Sequence, residues 1–209
     1  MPESTNIKTI SVFGSAELLR TNEGGAAFGK FLAKCPKTED FDISDTGLTA
    51  EGLQGMLSTM PESTNIKKIV AAYNSELMKT SEDGAAMGKF LAKCPKTEDF
   101  DVRQTGPTAE GLQGMLSTLP KSTNIKRINA SPNKLMSSEE SGAAMGKFLA
   151  KCPKTDFDMQ GMLSTLPKST NIKRINASPN KLMSSEESGA AMGKFLAKCV
   201  HHAREHQHQ

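Results

Sequence analysis

Residues 125–135 read Ile125-Lys-Arg-Ile128-Asn-Ala130-Ser-Pro-Asn133-Lys-Leu135. Apolar side chains stand at positions one, four, six and eleven, with an asparagine at nine. Residues 38–48, Thr38-Glu-Asp-Phe41-Asp-Ile43-Ser-Asp-Thr46-Gly-Leu48, have the same spacing, with threonine at one and in the asparagine slot. Both stretches read as extended segments that turn back toward a core.

Around them, whole blocks of sequence recur. MPESTNIK begins at Met1 and again at Met60, and LPKSTNIKR begins at Leu119 and Leu166. Each leads into GKFLAKC, at Gly29, Gly88, Gly146 and Gly193. The copies therefore start 59, 59 and 47 residues apart. A fixed long period means stacked units, because one strand or helix cannot bury its apolar side alone.

Each 59-residue copy holds two similar halves of 28 to 31 residues, read as strand, turn, helix, turn. Ser137-Ser-Glu-Glu140 and Ser184-Ser-Glu-Glu187 have the capping-box form that starts a helix. Ala86, Phe90 and Cys94 follow i, i+4 spacing beside Met87 and Leu91, which predicts one apolar helical face. Pro36, Pro95 and Pro153 then forbid continuation. In the second half, Thr108-Ala-Glu-Gly opens a helix with Leu112, Met115, Leu116 and Leu119 on one face. Pro61, Pro120 and Pro167 close that type of helix.

The spacing resembles the leucine-rich-repeat pattern L-x-x-L-x-L-x-x-N-x-L. The long helical connection, the alternating half lengths and the cysteine near the helix end are similar to the subclass typified by ribonuclease inhibitor. The resemblance implies an α/β solenoid, a horseshoe with a parallel concave sheet and convex helices, over residues 1–199. That subclass includes inhibitors, GTPase activators, actin-capping proteins and immune sensors, so it specifies fold more than function.

Some slots depart from the pattern. Thr38, Thr97 and Thr155 occupy position one, where leucine is expected, and Ala71, Ala130 and Ala177 occupy position six. Undersized core residues predict a weaker solenoid than an idealised one. From Cys94 to Met115 the chain advances 21 positions, but from Cys152 to Met162 only 10. That deletion predicts a short helix or a stacking fault near 155–166. No polar capping unit is recognisable at either end, so the array is expected to be uncapped and a fragment of a longer one. Residues 200–209 are expected to be a disordered His-rich tail.

Hydrophobic residues make up 36% and aromatics 5%, enough for a solenoid in which each unit adds only a few apolar side chains. The net charge of +3 argues against a nucleic-acid partner. Cys35, Cys94, Cys152 and Cys199 share one repeat position, which predicts a column of buried free thiols and a reducing, cytoplasmic location. No leader and no apolar run long enough for a membrane span is read in the sequence.

Residues between the apolar strand positions should face the open side of the sheet. First-type strands place Lys67, Lys68, Lys126, Arg127, Asn129, Lys173, Arg174 and Asn176 there. Second-type strands place Glu39, Asp40, Asp42, Glu98, Asp99, Asp101, Asp156 and Asp158. Alternating basic and acidic strands can neutralise one another for solubility, or can select a protein partner of complementary charge. The leading expectation is a protein-binding module without cofactor. The alternatives are an enzyme regulator, inhibitor-like or GTPase-activator-like, and a truncated array without independent function.

Other motifs carry less. His201, His202, His206 and His208 match no defined zinc spacing. Asn129-Ala-Ser131 and Asn176-Ala-Ser178 fit a glycosylation sequon but fall in or beside strands. Gly84-Ala-Ala-Met-Gly88-Lys89 lacks the phosphate-loop spacing. All four histidines lie in the tail, away from every candidate nucleophile, so no catalytic residue is expected.

Overall fold

The computed structural model describes residues 6–129, Ala144, Lys147, Phe148, Lys151 and the strand Asp156–Asp158. Strands β1 (Thr9–Ser11), β2 (Asp40–Asp42), β3 (Lys68–Val70), β4 (Asp99–Asp101), β5 (Arg127–Asn129) and β6 (Asp156–Asp158) form one parallel sheet in chain order. Helices α1 (Asn22–Ala33), α2 (Ala50–Thr59), α3 (Ser81–Ala92) and α4 (Ala109–Thr118) alternate with the first five strands. This α/β arrangement is compatible with a repeat solenoid: every crossover returns the chain beside the strand it left.

The strands stack without slippage. Ile10, Phe41, Ile69, Phe100, Ile128 and Phe157 occupy one row. The first five of these are buried in a single core with Phe28, Leu53, Met56, Phe90, Leu112 and Met115 from the helices. Phe28 stacks on Phe41, which also meets Phe90, with ring centroids 5.8 and 6.1 Å apart. β6 continues the register, so the described part of the third copy is stacked like the others. Of the stretch 155–166, where a short helix or fault is expected, only Asp156–Asp158 is described and it stays in register; the rest of it, the capping boxes at 137–140 and 184–187, and the tail lie outside the described residues.

The alternating half lengths have a local cause. First-type halves use ten residues between strand and helix and a 12-residue helix; second-type halves use seven and a 10-residue helix. Helix starts are alike in all four. Thr21, Thr49, Thr80 and Thr108 each accept a hydrogen bond from the third helical backbone N–H, and Thr80 with Asp83 completes a capping box. Met60 and Leu119 end the short helices with ψ of 156° and 144°. The following prolines impose this, since the residue before proline is pushed out of the helical region.

The long helices end two residues before the cysteine to which the sequence spacing extends them. α3 stops at Ala92, and the Cys94 N–H donates to Leu91 O in a tighter turn. Cys35 and Cys94 are buried free thiols; Cys152 and Cys199 lie outside the described residues. Burial pushes the Cys94 thiol up to about 12, with the Thr64 side chain opposing.

The slots that look undersized in the sequence are filled differently. Thr38 and Thr97 are buried, and their hydroxyls donate to Ile7 O and Ile66 O on the preceding unit. Ala71 is fully buried, level with the buried Ile43 and Val102 just past the adjoining strands. Position eleven of the described first-type halves is Glu17 or Glu76, both exposed. Leu19 and Leu77, one or two places later, enter the core instead.

The two recurrent blocks meet at the seams between units. Asn65 of the STNIK block donates to Pro36 O at 2.8 Å, and Asn124 repeats this on Pro95 O. Lys93 of the GKFLAKC block donates to Leu57 O near the end of α2, and Lys151 does the same to Leu116 O near the end of α4. Free carbonyls at a helix end attract such cations. Within a copy, α2 packs on the turn before α1 so closely that a Cβ at Gly52 would stand 1.7 Å from Leu19 O. Gly111 repeats this against Met78 O at 1.8 Å.

Candidate interaction face

Because strand side chains alternate, a buried central residue sends both of its neighbours to the open face of the sheet. One row there is Thr9, Asp40, Lys68, Asp99 and Arg127; the next is Ser11, Asp42, Val70, Asp101 and Asn129. The residues just before the strands add Lys8, Glu39, Lys67, Glu98 and Lys126, joined by backbone bonds from each unit to the last. Basic and acidic side chains therefore alternate along the strand-entry side, as the sequence predicts.

These charges pair across neighbouring strands. Lys67 bonds Glu39 at 2.9 Å and Lys126 bonds Glu98 at 2.8 Å. Arg127 makes a two-pronged pair with Asp99. The hydrogen bond and charge of Lys67 hold the Glu39 carboxyl below its usual range, and Glu39 raises Lys67 in return. Both groups are open to water, so the pairs set geometry more than stability. Lys68 is exposed between Asp40 and Asp99 in register.

The strand-exit side differs. Its first-type strands carry Val70 and Asn129 rather than cations. Asp101 is held by Arg103, whose Nε approaches both carboxylate oxygens at 3.0 and 2.9 Å, and by Asn129 Nδ2 at 3.3 Å. Asp101 in turn raises Arg103. Asp42 accepts from the Ser44 N–H at 3.0 Å and from Ser11 Oγ at 3.4 Å.

Of the site residues expected from sequence, Lys67, Lys68, Asp99, Asp101, Lys126, Arg127 and Asn129 share this face. Asp156 and Asp158 take the register positions beside Arg127 and Asn129. Lys173, Arg174 and Asn176 lie outside the described residues.

Past the strands, the ladder continues into a row that sequence reading does not find. Gly14, Asp45, Tyr73 and Gln104 fall at equivalent places, bonded from one unit to the next through Ser44 O, Ala72 O and Arg103 O. All four are left-handed, with φ of 75°, 51°, 60° and 53°. Glycine and aspartate accept this backbone readily; tyrosine does so at a cost. Tyr73, the only tyrosine in the sequence, is the one signal that could have pointed there.

Among the described residues no helix is long and apolar enough to cross a membrane, and no three metal-ligating side chains gather. Set against known protein families and curated proteins, the chain matches no family model and no curated sequence.

Proposed function

We propose that the chain is a leucine-rich-repeat interaction module, of the ribonuclease-inhibitor-like type, that holds a partner protein on the open face of its sheet. The supporting observation is the division of labour across each strand. Central residues are consumed by the core, while flanking side chains stand in register at roughly 4.8 Å intervals without a packing task. Cross-strand pairing keeps them ordered, which lowers the entropy lost when a partner docks.

Chemical cross-linking of the purified full chain in cell extract, read by mass spectrometry, tests this. Cross-links from Lys67, Lys68 and Lys126 to one recurrent protein are expected, and Lys68→Glu should deplete them. Cross-links concentrated on the helix-borne Lys30 and Lys89 would overturn it.

A further inference from the structure

We propose that the strand-exit end of the sheet, between Phe13 and Tyr73, is a recognition notch for an arginine side chain of the partner. This deepens the interaction reading above and rests on it.

Three independent observations converge there. First, Phe13 and Tyr73 are the exposed large hydrophobics among the described residues, at 62% and 45% exposure. Both sit in the turns after first-type strands, β1 and β3, so β2 lies between them. Two strand spacings separate them, roughly 10 Å, wide enough for one side chain.

Second, the end of β2 and the turn after it carry Asp42 and Asp45, neither with a counter-cation among the described residues. Elsewhere on the face, Glu39, Glu98, Asp99 and Asp101 each hold a lysine or arginine. Asp42 has only the Ser44 N–H and Ser11 hydroxyl, and the exposed Asp45 carboxylate bonds no described side chain. Arg103, whose backbone carbonyl accepts from the Tyr73 N–H, is already committed to Asp101.

Third, the chain's charge is +3 overall, so an unbalanced acidic spot is local and not a general property of the surface. Carboxylates beside exposed rings suit a planar cation that forks onto the acid and stacks on the aromatic. Arginine meets both demands; lysine meets only the charge.

The test uses the full chain and a capped tri-arginine peptide. Tyr73 is the only tyrosine and there is no tryptophan, so intrinsic fluorescence reports on the notch directly. A saturable change is expected with arginine, a weaker one with tri-lysine, and none with tri-glutamate. Asp45→Asn, which keeps a residue tolerant of the left-handed turn, should weaken binding about tenfold. Phe13→Ala, at an exposed site, should weaken it as well. Circular dichroism of both variants should match the parent.

No saturable response, equal affinity for lysine, or an Asp45→Asn variant that binds as tightly would overturn the proposal. Peptide binding that survives while the Lys68 cross-links fail would instead sink the broader face reading and leave the notch standing. Cross-links intact without peptide binding would do the reverse.

Discussion

Asn74 of one unit closes the turn of the unit before it by bonding both sides of Thr46. Its Oδ1 accepts from the Thr46 N–H at 3.1 Å and the Leu48 N–H at 3.0 Å. Its Nδ2 donates to Ile43 O at 2.9 Å and to Ala71 O at 3.0 Å. Thr46 completes the junction by donating its hydroxyl to Ile43 O at 2.8 Å. One buried amide thus satisfies backbone groups in two successive turns, which would otherwise be buried unpaired.

Asn74→Ala should therefore cost on the order of 3 kcal/mol, since each orphaned buried group costs about 1–3. Urea denaturation of the full chain measures it. A loss below about 1 kcal/mol would mean that water replaces the amide.

Gly52→Ala should cost more than an exposed helix substitution, because the new methyl would overlap Leu19 O at 1.7 Å. Forcing α2 from the turn before α1 is overpacking, typically about 1–3 kcal/mol and sometimes more. The same change at an open helix position is ordinarily favourable. A thermal melt showing an unchanged or raised midpoint would contradict the close approach.

Cys94 makes stability depend on alkaline pH. Its folded value of about 12 lies above the ordinary 9.0, so the folded state favours the protonated thiol. Its contribution is complete below pH 9.0 and declines as pH rises toward 12. Cys94→Ala should flatten that part of the stability profile. In the native chain this thiol should react with a disulfide reagent at pH 8 only as fast as the protein opens.

Glu39 should titrate below an ordinary glutamate, and Lys67→Gln should return it to the usual range. Its depressed value means that the pair's stabilising effect exists above that range and fades as pH falls through the folded value. Carboxyl-carbon NMR resolves the shift, and added salt should shrink it, since the pair is exposed. A Glu39 that titrates alike in both proteins would dissolve the pair.

Much of the face was legible before any coordinates, because charge alternation between strand types is written directly into Lys67, Glu98 and Lys126. The strand-exit end was not. Whether Asp42 and Asp45 keep a counter-ion depends on which side chains the neighbouring strands bring alongside. Similarly, Thr38 and Thr97 read as gaps in a leucine column. Only the proximity of Ile7 O and Ile66 O reveals them as hydrogen-bonding residues.

Sequence alone determined the repeating strand–turn–helix unit, its two alternating lengths and the buried row from Ile10 to Ile128. Periodicity, threonine caps and prolines act within a few residues and need no distant partner. Tertiary packing decided the rest: the contact of Gly52 with the turn before α1, the amide bridge at Asn74, the left-handed row through Tyr73 and which surface charges pair. Those features exist only between units about 30 residues apart, where the outcome depends on which atoms the stacking brings within bonding distance.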